Sequence, residues 1–178
     1  MNRLDLLLGE MTMHNAGDPR RIQHFVKVHA LARHIGRMEG LAGEALETLE
    51  AAALVHDIGI RPAEERFGRS TPRLQEELGP PAAEAMLTGL GFPEEMVRRV
   101  CFLVGHHHTY HSIQGEDYRI LVEADFLVNL YEDGAGREEA EAVLEQIFRT
   151  GTGTALCRAM FGLEKGREEK GGGGGWSC

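Results

Sequence analysis

Ala51-Ala52-Ala53-Leu54-Val55-His56-Asp57-Ile58-Gly59-Ile60 decides how the rest of this chain is read. An apolar, alanine-rich run leads into a histidine and an aspartate side by side, and a glycine follows. An ionised carboxylate is rarely buried unless it is paired or binds a metal. If the apolar run is a buried helix, its end carries two metal-ligand side chains into the interior, and other segments must supply their partners.

Working outward, the run belongs to a helix from about Gly43 through His56-Asp57. Upstream, Asp18 as N-cap with Pro19 at the first helical position starts a helix that stops near Gly40. Residues 2–13 read as a short amphipathic helix. Downstream, residues 59–79 show no clear period and hold four arginines, so they read as a loop with one short helix after Thr71-Pro72. Helices are predicted at about 81–90, 93–108, 116–132, 137–149 and 152–162. No segment shows strand alternation or a hairpin turn. The class is all-α, a bundle of about seven to eight helices.

A chain of 178 residues is most simply one domain, here 1–165, followed at 166–178 by a glycine-rich tail expected to be disordered. The net charge of −9 is spread along the chain, against a nucleic-acid polymer as partner, yet it permits a basic pocket for phosphate. The apolar runs are too short for a membrane span, and the N-terminus has no signal-peptide pattern. Three cysteines at uneven spacing form no disulfide framework or zinc knuckle, which fits a cytoplasmic location. A homodimer is left open.

The partners of the His-Asp pair come from other apolar stripes. His24 begins the stripe Val28, Leu31, Ile35; His56 ends Ala45, Leu49, Ala52, Ala53; His107 follows Met96, Val100, Leu103, Val104; Asp125 sits within Leu121, Ala124, Val128, Tyr131. A lone histidine on such a face is usually a hydrogen-bonded core residue, and His106, His108 and His111 read as exposed or helix-terminal. Taken together, a shared divalent metal satisfies the buried groups at once.

The ordered set His24, His56-Asp57, Asp125 resembles the HD superfamily of metal-dependent phosphohydrolases, over about residues 18–132. The stretches that carry it are Arg21-Ile22-Gln23-His24-Phe25, Leu54-Val55-His56-Asp57-Ile58-Gly59 and Val122-Glu123-Ala124-Asp125-Phe126-Leu127. The resemblance implies an HD-type helical bundle in which these four residues hold one divalent ion: Mn, Fe, Ni, Co, Zn or Mg. Members with two metals carry a further histidine where this chain has Glu77-Leu78-Gly79-Pro80, so one site is expected rather than two. His107, with His106, is then a weak second-metal ligand or a phosphate contact.

The implied activity is cleavage of a phosphate ester of a small soluble substrate, first of all a nucleotide, by metal-activated water. Asp57 would orient that water, Arg61 would clamp the phosphate, and His107 would assist; Lys27 and Arg21 are further substrate-binding candidates. Glu64 and Glu65 lie near the place where some relatives carry an acidic catalytic residue. The alternatives are an HD-type di-iron oxygenase and a non-catalytic nucleotide- or metal-binding sensor module.

Overall fold

A computed structural model describes residues 2–163. The expected glycine-rich tail lies outside them. The all-α class is the one found: nine helices and no strand among the described residues. They are α1 (Arg3–His14), α2 (Pro19–Met38), α3 (Gly43–Val55), α4 (Ile60–Phe67), α5 (Pro72–Gly89), α6 (Glu94–Val104), α7 (Glu116–Glu132), α8 (Arg137–Ile147) and α9 (Gly151–Phe161).

The central element is α3, which packs against α1, α2, α6 and α7. From Thr48 onward every residue of α3 is buried. Three successive alanines let neighbouring helices approach closely, while Leu49 and Leu54 fill the gaps, each burial contributing about 1.5–3 kcal/mol. A helix without a wet face delivers its last residues, and the His56-Asp57 that follow, into the centre of the protein. The start of α2 is as expected, with Asp18 accepting from the Arg21 N–H at 2.9 Å and Pro19 leading the first turn.

Three stretches differ from their sequence reading. Residues 60–67 form α4 rather than loop, and the short helix expected after Thr71-Pro72 and the one expected at 81–90 are a single helix, α5, which runs through Pro80 and Pro81. Two interior prolines remove two backbone donors, at a cost of roughly 3 kcal/mol or more. Packing of α5 against α4 and α6 offsets it. At the turn after Asp57 the contact is backbone on backbone: a Cβ on Gly59 would stand 2.6 Å from the Gln75 carbonyl oxygen and 2.8 Å from the Gly79 nitrogen. The other departure is α6, which stops at Val104 instead of continuing to residue 108.

At the far side of α7, Glu123 is fully buried. Its carboxylate accepts from the Arg149 N–H at 2.7 Å, the Thr150 N–H at 3.0 Å and the Thr150 hydroxyl at 2.5 Å. Thr150 is the N-cap of α9, so one carboxylate of α7 holds the start of α9. Among the described residues no helix is long and apolar enough to cross a membrane.

Candidate metal centre

Four elements bring ionisable side chains to one point: α2 supplies His24, the end of α3 His56 and Asp57, the turn after α6 His107, and α7 Asp125. His24 Nε2 and His56 Nε2 are 3.2 Å apart. The Asp57 carboxylate approaches them at 3.5 and 3.4 Å, and Asp125 Oδ1 at 3.1 and 3.6 Å. Ligands about 2.0–2.2 Å from a common ion stand about 2.8–3.6 Å apart in octahedral or tetrahedral arrangements. The spacings are those of ligands around an ion.

The orientation of each ring supports the same reading. His24 Nδ1 meets a Glu132 carboxylate oxygen at 3.0 Å, His56 Nδ1 the Ala53 carbonyl at 2.9 Å, and His107 Nδ1 the Val104 carbonyl at 2.7 Å. Oxygens of these kinds only accept, so each Nδ1 carries the proton and each neutral ring turns its Nε2 lone pair inward. Two lone pairs 3.2 Å apart repel each other unless a proton or a metal cation lies between them. Asp125 Oδ1 and His107 Nε2 are buried without any hydrogen-bond partner, which a metal would supply.

In the metal-free protein, protons take the cation's place. Burial works against charge on His56, but Asp57 and Asp125 outweigh it and raise its pKa to about 9. Burial likewise opposes charge on His24, and Asp125 and Asp57 raise it. Both aspartates are held well below the usual carboxylate range despite burial, Asp57 by His56 and His107, Asp125 by His24 and His56. A histidine whose folded pKa is raised gives stability that is complete below about pH 6.5 and disappears as pH rises through about 9. The metal-free protein should therefore lose up to about 3 kcal/mol between those pH values, read as a falling Tm. Saturating divalent metal should remove that slope, because the ion replaces the protons. A metal-free Tm that stays flat from pH 6.5 to 9 would contradict this charge balance.

A second group forms on the other oxygen of Asp57. Asp57 Oδ1 is 3.5 Å from His107 Nε2, and Asp57, His107 and His108 are grouped closely enough to hold an ion. Burial and the neighbouring His107 push the His108 pKa down to about 4, leaving a neutral imidazole. His108 also meets Gln75 at 2.8 Å, and its N–H donates to Glu76 at 3.0 Å. The early stop of α6 explains this divergence. Past Gly105 the chain turns, so His107 points inward, His108 turns to α5, and His106 stacks on Phe102 with its Nδ1 on the Phe102 carbonyl. His106, expected beside His107, is therefore outside the site.

A cavity of about 390 Å³ opens onto His24 and Asp57, lined also by Arg20, Arg21, Ile60, Asn129 and Glu132. Arg61, expected as the phosphate clamp, does not line it. The turn into α4 directs its guanidinium to the His14 carbonyl and to Glu65. Arg21 does line the cavity but is bound to Glu64 at 3.0 Å, and Lys27 is bound to Glu132 at 2.6 Å. Glu64 and Glu65 are thereby engaged by arginines beside a neighbouring cavity.

Sequence reasoning missed Glu132, which orients His24, and His108. Glu132 had a usable signal: it lies seven residues after Asp125, two helical turns along the same face. His108 had none, since its direction depends on where α6 ends. A family model described as HD domain matches residues 21–148, well over half of the chain. No match was found among curated proteins or among solved structures.

Proposed function

The chain belongs to the HD domain family, and from that premise we propose that it is a metal-dependent phosphohydrolase acting on a small phosphate ester, with nucleotides the first class to assay. The observation that supports it is the set of inward Nε2 atoms and carboxylates beside an open polar cavity. His24, His56, Asp57 and Asp125 would hold a divalent cation. Such a cation supplies Lewis acidity toward water and toward a phosphoryl oxygen. Asp57 faces the His24–His56 pair with one oxygen and His107 with the other. The second oxygen is placed to take a proton from the attacking water, and the inward Nε2 lone pair of His107 to accept a hydrogen bond from the carboxyl that results. Asn129 and Glu132 in the cavity wall offer hydrogen bonds to the hydroxyls of the leaving group. We place the activity in the cytoplasm, on the same reading of cysteine usage as above.

The test is metal analysis of the purified protein, then turnover of nucleoside monophosphates and sugar phosphates with added Mn, Co, Ni, Mg, Fe or Zn. Hydrolysis that a chelator abolishes supports the reading. Tight binding of metal or nucleotide without turnover of any ester would replace it with the sensor reading.

A second reading rests on the Asp57–His107–His108 group. It gives a second ion three donors where the sequence offered only His107 and a shared Asp57. We favour one tightly held ion, because His108 is already engaged by Gln75. His107→Ala should then keep about one equivalent of metal and lose about 10–100-fold in turnover. Two dialysis-resistant equivalents of iron in the wild type, falling to one in the variant, would put the di-iron oxygenase ahead.

A further inference from the structure

The three cations expected to bind phosphate are all committed to carboxylates. Arg61 is 2.9 Å from Glu65, Arg21 is 3.0 Å from Glu64 and 3.5 Å from Asp18, and Lys27 is 2.6 Å from Glu132. A guanidinium already spanned by carboxylates has little field left for an incoming anion, and detaching it costs the pair. One cation in the cavity wall differs. Arg20 is exposed and, among the described residues, makes no hydrogen bond or ion pair.

Its position suits an anion held against the metal centre. Arg20 lies four residues before His24 on α2, one helical turn away on the same face, and both line the one cavity. Four residues rise about 6 Å along the axis, and the guanidinium can span such a distance along its own stem. An uncommitted planar fork matches two phosphoryl oxygens at once. The wall also carries three carboxylates, Asp18, Asp57 and Glu132, against one further cation, Arg21, which is already paired with Glu64, so it repels an anion until a metal cation neutralises it.

We infer that Arg20 is the residue that grips the non-bridging oxygens of the substrate phosphate, and that it does so only once the metal is bound. The inference rests on the phosphohydrolase reading for its substrate, while the anion site it describes can be measured without turnover.

The probe is inorganic phosphate, the common product of phosphomonoester hydrolysis, titrated into metal-loaded and metal-free protein by calorimetry. Arg20→Ala should leave metal equivalents unchanged and weaken phosphate binding to the loaded protein about 10–100-fold. The KM of any hydrolysed ester should rise by a similar factor, and Arg20→Lys should recover part of the loss. Phosphate affinity in Arg20→Ala within twofold of wild type would overturn the inference, as would wild-type loaded protein that binds no phosphate. Turnover in the wild type with an unchanged Arg20→Ala variant sinks the Arg20 assignment alone. Arg20-dependent phosphate binding without hydrolysis of any ester sinks the phosphohydrolase reading and keeps the anion site.

Discussion

Replacing Asp125 by alanine should leave a helical protein that has lost metal-dependent turnover by about 10³-fold or more. Asp125 Oδ1 is buried with no hydrogen-bond partner, 3.1 Å from His24 Nε2 and 3.6 Å from His56 Nε2. Alanine there leaves two imidazoles with one carboxylate fewer to balance a divalent charge. Losing an outer partner of a metal ligand already costs about 10–100-fold in affinity, and losing a ligand costs more. The remaining buried residues of α7, among them Leu121, Val122, Leu127 and Val128, keep that helix packed. Elemental analysis after dialysis, circular dichroism and turnover separate the effects. Unchanged turnover would exclude Asp125 from the site.

Gly59→Val should unfold or severely destabilise the protein without touching a proposed ligand. Any Cβ at residue 59 meets backbone on the facing helix, the Gln75 oxygen at 2.6 Å and the Gly79 nitrogen and Cα at 2.8 and 3.0 Å. Backbone cannot step aside as a flexible side chain can. Overpacking of this kind costs about 3 kcal/mol or more, and valine adds two methyl groups to the clash. In a domain of this size that is a fall of about 6–12 °C in Tm. Gly17→Ala makes a control of a different kind: no atom lies within 4 Å of its Cβ, and only its positive φ of 90° opposes the change. A Gly59→Val variant that melts with the wild type would mean that α5 can move away from the turn.

How much of this was legible in the sequence depends on how local each cause is. The start of α2 was readable because Asp18 and Pro19 fix it within one turn of chain. The convergence of His24, His56, Asp57 and Asp125 was readable because each sits on an apolar helical face, a property of spacing alone. The path of α5 was not, because two prolines argue locally for a break and only contacts with α4 and α6 outweigh them. The direction of Arg61 was not readable for a similar reason. Its position after the His-Asp turn was plain, but its direction is set by the His14 carbonyl at the end of α1, 47 residues earlier. Tyr131 continued the apolar stripe of α7 on paper, yet it is 65% exposed and lies beneath the Lys27 ammonium.

The Glu123 carboxylate has a consequence for where this domain ends. The family match stops at residue 148, one residue short of the Arg149 N–H and two short of Thr150, which donate three hydrogen bonds to Glu123. A protein trimmed to that boundary would keep every proposed metal ligand and still strand a buried anion two residues from Asp125. It would also lose α9, on whose Gly153 no side chain fits against the same carboxylate. A protein cut for study of this candidate metal centre should therefore extend beyond the stretch its sequence signature marks out, by a length that the hydrogen-bond needs of one glutamate set.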